Sequence, residues 1–155
     1  MQFQVVAVGK LRPALREVCD DYLRRLRRFV PVSEHEVREA GRAPSVNRRR
    51  ELEGEHLIAV LPTRATVVLL DSAGEAWSSE ELAARVERWR IDGNVCAFIV
   101  GGAEGVSSAI RHRARISWSL GAITLPHELA RVVAVEQLYR ASTILRGEPY
   151  HKGVR

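Results

Sequence analysis

The stretch Ser119–Lys152, SLGAITLPHELARVVAVEQLYRASTILRGEPYHK, decides how this chain is read. It divides into a short apolar segment, a Pro-His turn, a long helix and a stop. Ala122–Leu125 is apolar and holds β-branched Ile123 and Thr124, which suits a buried strand. Pro126 lacks an N–H and has a fixed φ, so it ends that strand and starts a helix. Leu129 to Leu145 contains no Gly or Pro. Gly147 stands where a left-handed cap costs least, and Pro149 forbids continuation. At about 100° per residue, apolar side chains appear all round this helix: Leu129, Val132, Val133, Val135, Leu138, Ile144 and Leu145. A surface helix shows one apolar stripe. This one is expected to be covered by its own sheet and by something else. Glu136 and Arg140, four apart, fall within the Leu129/Val132/Val133 side. They read either as an ordinary helix ion pair or as part of a site or subunit interface, and the apolar surroundings favour the second.

Outward from that stretch, 155 residues make one domain, 1–155, large enough for a proper core. The chain carries 24 Lys and Arg against 19 Asp and Glu, a net +5, which admits an anionic partner such as RNA or simply a solvated basic surface. Cys19 and Cys96 sit inside apolar patterns without metal-ligand spacing, so they read as buried thiols in a reducing compartment. The N-terminus MQFQVVAVG has no basic leader, and no apolar run approaches a membrane span. A soluble cytoplasmic protein, with no membrane partner and no metal, is expected.

Phe3–Val8 reads as a buried first strand closed by Gly9. Pro13 opens a helix whose stripe is Leu15, Val18, Tyr22, Leu26 and Phe29, with Arg16, Arg24, Arg25, Arg27 and Arg28 opposite. Val30–Val37 reads as a second strand. Gly41–Asn47 is loop-like, and a weaker helical stretch interrupted by Gly54 follows Arg48, Arg49 and Arg50. That triple Arg is either a solvated helix face or a mobile basic arm for an RNA backbone. Val67–Leu70 is a strand closed by Asp71 and a Ser-Ala-Gly turn. Ser78 and Glu81 form a capping box for a helix with Leu82, Val86 and Trp89 inside. Val95–Val100 is a continuous apolar strand followed at once by GGAEG. Strands without alternation, separated by helices, predict an α/β fold with a mostly parallel sheet covered on both faces.

Three strand ends stand out: Leu70-Asp71, Gly101-Gly102 and Leu120–Leu125. Ligands in open α/β sheets bind beyond the carboxyl ends of strands. The glycine pair lets a ligand approach the backbone closely. It lacks the spacing of a dinucleotide fingerprint and the Lys of a P-loop.

The order of the pieces VVAVGKL, VVLLD, FIVGGAEG, SWSLGAITLPHELARVVAVEQLYRA and GEPYHK resembles the ribosomal RNA large subunit methyltransferase H family of the SPOUT, or α/β-knot, superfamily. The resemblance runs end to end. It implies a trefoil-knotted α/β fold, an exception to the rule that chains do not thread. It also implies a homodimer, S-adenosylmethionine as methyl donor, and transfer to N3 of a pseudouridine in 23S rRNA of the large subunit or assembled ribosome. The family's cofactor-binding positions fall on Leu70, Gly101, Leu120, Gly121, Ala122, Ile123, Thr124 and Leu125. Tyr150, His151 and Lys152 match the family's terminal motif, although this chain runs on through Gly153, Val154 and Arg155.

Methylation at a ring nitrogen needs alignment and removal of a weakly acidic proton, and no covalent enzyme nucleophile. Tyr150 is expected to stack on or orient the base and His151 to act as general base or hydrogen-bond partner. Lys152 and Arg140 would hold phosphate, with Glu136 positioning Arg140. His127 reads as a helix N-terminal residue, and His35, His56 and His112 as peripheral. Two rivals remain: a SPOUT enzyme with another RNA target, and a ribosome-associated RNA-binding module without catalysis.

Overall fold

The computed structural model describes residues 1–152, apart from the His151 side chain. The roles asked of that side chain and of Gly153–Arg155 lie outside the described residues. The first half runs β1 (Gln2–Val8), α1 (Pro13–Leu26), β2 (Val32–Val37), α2 (Val46–Val60) and β3 (Ala65–Ala76). The second runs α3 (Ser79–Asp92), β4 (Val95–Val100), α4 (Ser108–Arg113), β5 (Ile116–Ser119) and α5 (His127–Leu145). A single 3-10 turn, Pro149–His151, follows.

The five strands form one sheet in the order β2-β1-β4-β3-β5, and every pairing is parallel. Strand side chains alternate between two cores, as a period of two dictates. Phe3, Val5, Val68, Phe98 and Trp118 face α1, α3 and α5. Val6, Val8, Val67, Leu69 and Ile99 face α2 and α4, where Leu57 and Ile110 meet them. Both faces are therefore apolar, which is why the strands read as unbroken hydrophobic runs. The first core is knit by aromatic edges: Phe3–Phe98 at 5.5 Å, Trp89–Phe98 at 5.9 Å and stacked Trp77–Trp118 at 5.6 Å between centroids. Such pairs add about 0.5–1.5 kcal/mol each beyond burial.

Helix ends follow local chemistry. Ser78 Oγ accepts the Glu81 N–H while the Glu81 carboxylate accepts the Ser78 N–H, the reciprocal capping box expected. Gly147 adopts φ +69°, and the N–H groups of Gly147 and Glu148 donate to Ile144 and Thr143 carbonyls, a Schellman stop for α5. Helix α5 is covered on its flanks by α1 and α3, so the second cover for its all-round apolar surface lies largely within the same chain.

Several expectations are corrected. Ala122–Leu125 is not a strand: β5 lies earlier, at Ile116–Ser119, and 120–126 is an irregular turn with Ala122, Ile123 and Thr124 exposed. β-Branched content does not make a strand where no neighbouring strand is available to pair. Gly54 does not interrupt α2; it is buried, and a Cβ there would stand 2.5 Å from Ser107 Oγ. Strand β3 continues beyond Asp71 to Ala76 through an irregularity between Leu70 and Glu75. The inner face of α1 is turned toward Cys19, Leu23 and Leu26, leaving Val18 44% exposed. The triple Arg is not a free arm. Arg48 pairs with Glu51, Arg49 with buried Glu53, and Arg50 Nε donates to the Glu104 carbonyl in the glycine turn.

Candidate active site

The parallel sheet brings the irregularity within β3 and the carboxyl ends of β4 and β5 to one edge of the fold, where a cavity of about 770 Å³ opens. Its size lies within the roughly 300–1,000 Å³ typical of small-molecule pockets. Three segments, distant in sequence, form its wall: Leu70–Ser72, Val100–Val106 and Trp118–Leu125, with α5 contributing His127 and Ala130.

Each segment has a local reason for its shape. Gly101 ends β4 where a Cβ would stand 2.6 Å from Val106 Cγ1, so any side chain would displace the cavity wall. The Gly105 N–H donates to the Gly102 carbonyl at 3.1 Å and closes the turn. Ser119 Oγ accepts the Gly121 N–H at 3.2 Å and donates to the Gly121 carbonyl at 3.0 Å, clasping the third segment just after β5. Asp71 Oδ1 accepts the Ala73 N–H at 3.0 Å, and Oδ2 accepts from Arg111 Nη1 of α4. Burial alone would raise the Asp71 carboxyl, but the Ala73 N–H and Arg111 overrule it and hold the group below the ordinary carboxylate range.

Of the eight expected cofactor positions, seven line this cavity: Leu70, Gly101, Leu120, Gly121, Ile123, Thr124 and Leu125. Ala122 is exposed and is not part of the lining. His127, read as a helix N-terminal residue, is the first residue of α5 and also faces the cavity.

Of the expected catalytic residues, Glu136 and Arg140 of α5 cluster with Tyr150 of the 3-10 turn, apart from the cavity lining. Arg140 Nη2 donates to Glu136 Oε1 at 2.6 Å, Gln137 Nε2 donates to Oε2 at 2.8 Å, and the Tyr150 hydroxyl donates to Oε1 at 3.0 Å. Tyr150 packs on Tyr139 at 4.6 Å between centroids, and the Arg140 guanidinium carbon lies 4.9 Å from its ring centre. Burial, with Tyr22 and Glu136 beside it, raises the Tyr150 phenol, so it stays protonated. Burial would lower the Arg140 guanidinium, but Glu136 reverses this and keeps it charged. Lys152 is exposed beyond the 3-10 turn. Nine residues of helix separate His127 at the cavity from Glu136, roughly 13 Å of rise. None of Glu136, Arg140, Tyr150 or Lys152 lines the cavity.

The remaining histidines stand elsewhere: His56 Nδ1 is 3.1 Å from the Arg38 carbonyl oxygen, His112 Nδ1 is 3.1 Å from that of Ser108, and His35 lies exposed on β2. Sequence reasoning missed Arg111 and Arg131. Arg111 sits in the basic run RHRAR, which looks like any solvated charge cluster. Arg131 is 1% exposed on α5; it bonds Glu34, Glu36 and the Gly9 carbonyl, and its only hint was an Arg beside apolar residues.

Comparison with known proteins gives a concordant result. The family model described as "Predicted SPOUT methyltransferase" matches residues 1–151. The ribosomal RNA large subunit methyltransferase H of Anaeromyxobacter sp. (strain Fw109-5) is 45% identical, covering 98% of this chain and all of that one. The protein of that description from Rubrobacter xylanophilus is 50% identical over 95% of this chain and 96% of its own. Among solved structures, a probable methyltransferase from Bordetella pertussis Tohama I superposes with a TM-score of 0.54 at 16% identity, covering 91% of this chain and 94% of its own, a likeness of fold. The family model over residues 1–151, with relatives 45–50% identical over at least 95% of this chain, places the chain in the SPOUT methyltransferase family, among the ribosomal RNA large subunit methyltransferases H.

Proposed function

We propose that the cavity holds S-adenosylmethionine and that the enzyme methylates N3 of a pseudouridine in 23S rRNA, on the large subunit or assembled ribosome in the cytoplasm. The single observation that carries this is the convergence of Leu70, Gly101 and the 120–125 turn on one cavity in a chain that matches the family from end to end.

The donor set fits this cofactor. Apolar side chains (Leu70, Val106, Leu120, Leu125) and backbone polar groups suit a neutral adenine, and bare Gly101 allows close approach. Among the described residues the lining holds one Arg, already paired with Asp71, and no phosphate cradle, so a nucleoside di- or triphosphate is poorly matched. The bound cofactor supplies an electrophilic sulfonium methyl. The chain's own residues do the rest. Leu70, Gly101, Leu120, Gly121, Ile123, Thr124 and Leu125 hold and orient the ligand and exclude water. Tyr150, pinned by Tyr139 and Glu136, orients the tail and the target base. His151 takes the N3 proton, while Arg140 and Lys152 hold phosphate. The target base must leave any stack to reach such a cavity.

The same reading includes a homodimer: among the described residues the tail groups Tyr150 and Lys152 do not line the cavity of their own chain, and a second copy would supply a tail to each cavity. Ile123, 69% exposed at the cavity rim, and partly exposed Leu129 and Val133 supply apolar surface for that contact. The trefoil knot belongs to the same reading. Among the described residues no helix is long and apolar enough to cross a membrane.

Mass mapping of 23S rRNA from cells with and without the gene tests the proposal. One methyl group should be lost from a single pseudouridine and return on complementation. Loss at another nucleotide points to the other-target reading, and unchanged rRNA together with no cofactor binding points to a non-catalytic RNA module.

A further inference from the structure

Among the described residues that line the cavity, two carry a full charge, Asp71 and Arg111, and these two bond each other across 40 positions of sequence. We propose that this pair is the receptor for the amino-acid end of the cofactor, Asp71 taking the α-ammonium and Arg111 the α-carboxylate. The inference rests on the cavity being the S-adenosylmethionine site.

The chemistry is specific. The methionine end of that ligand is a zwitterion, with one cation and one anion separated by a single carbon. Burying either charge without a partner is costly, so its site must present one group of each sign close together. Among the described residues no other position of the lining offers that combination; the remaining wall is apolar side chain, hydroxyl, glycine backbone and His127.

The two groups are built for exchange. Asp71 is held by its own turn through the Ala73 N–H, so its carboxylate stays aimed when Arg111 lets go. Its side chain is 11% exposed, whereas that of Arg111 is 51% exposed. Among the described residues the Asp71 carboxylate is the one side-chain partner of Arg111. The guanidinium carries five N–H donors, so most of its fork remains for a carboxylate. The pair satisfies itself, and the zwitterion would replace each partner with one of like sign. That fixes the ligand's direction: the amino-acid end at β3 and α4, the adenosine toward the 120–125 turn and Gly101.

Calorimetry with S-adenosylmethionine, S-adenosylhomocysteine and 5′-methylthioadenosine tests this on wild type, Arg111→Gln and Asp71→Asn. The third ligand keeps adenosine and sulfur but has no amino-acid end. Each variant should lose about tenfold or more for the first two ligands, the size of a charge-assisted hydrogen bond. Affinity for methylthioadenosine should stay within about twofold, because the adenosine contacts persist. Loss with S-adenosylhomocysteine, which has no sulfonium, shows that Asp71 acts on the ammonium. Equal loss for all three ligands, or no loss for any, overturns the assignment; circular dichroism melts of the same samples establish that each variant is folded. A wild-type protein that binds none of the three refutes the cofactor reading itself, a result distinct from failure of the subsite.

Discussion

Arg131→Met is the sharpest test of how the fold supports the site. The Arg131 guanidinium is 1% exposed, and its Nη2 donates to the Gly9 carbonyl at 2.9 Å. Its Nη1 bonds Glu36 at 2.5 Å and Glu34 at 3.2 Å. These contacts tie the first turns of α5, which face the cavity through His127 and Ala130, to the ends of β1 and β2. Methionine keeps much of the stem but no donor. Stranding the buried Gly9 carbonyl costs about 1–3 kcal/mol. Removing one partner of a buried ion pair costs about 3–5 kcal/mol when the other is left alone. Here Arg16 still reaches Glu34 at 2.6 Å and Glu36 at 2.8 Å, so neither carboxylate is left alone, the ion-pair loss falls below that range, and with the stranded carbonyl the total is about 3 kcal/mol. For a chain of this length that lowers Tm by roughly 6–12 °C. Thermal denaturation at pH 7 measures it. The acid limb gives a second reading. Burial would raise the Glu36 carboxyl, but Arg131 and Arg16 hold it below its ordinary range. A carboxyl lowered in the folded state contributes stability above its unfolded pKa, about 4.3. That contribution is lost as pH falls through the lower folded value. The gap between wild type and Arg131→Met should therefore narrow below about pH 4. Adding Glu34→Gln and Glu36→Gln should recover part of the loss. A Met variant within about 2 °C of wild type at pH 7, less than 1 kcal/mol for this length, would falsify the claim that this buried cluster is a net support.

Gly101→Val should leave a folded protein with S-adenosylmethionine affinity reduced at least tenfold, because even a Cβ meets Val106 at 2.6 Å; unchanged affinity by calorimetry removes Gly101 from the cavity wall. Cys19 and Cys96 are fully buried, and burial pushes both thiols up to about 12, so neither should react with an aromatic disulfide reagent at pH 8 until the protein is unfolded, when two should react. Deleting residues 150–155 should abolish single-turnover methyl transfer to ribosomes while cofactor affinity changes little, since neither Tyr150 nor Lys152 lines the cavity; full activity in the deletion shows the tail to be dispensable. Sedimentation should show a dimer at micromolar concentration, and a monomer there defeats the proposal of a shared site.

The sequence by itself determined the elements whose cause is local. The strand runs, the Ser78–Glu81 capping box and the Gly147 stop of α5 depend on residues a few positions apart, where backbone chemistry leaves little choice. It also marked the three segments that line the cavity, because glycine pairs and interrupted apolar runs are visible in the order of residues, although Leu70-Asp71 proves to be an irregularity within β3 and not its end. Tertiary structure alone decided the rest. That 120–125 is a turn and not a strand depends on β5 pairing earlier with β3, a contact some 48 residues away in chain (Val68 to Ile116). Arg111 reaches Asp71 across 40 residues, and Arg131 reaches Glu34 and Glu36 across 97 and 95. An arginine that is buried and one that is solvated look alike in a list of residues. What separates them is the charge that folding brings alongside, and that is a property of long-range packing.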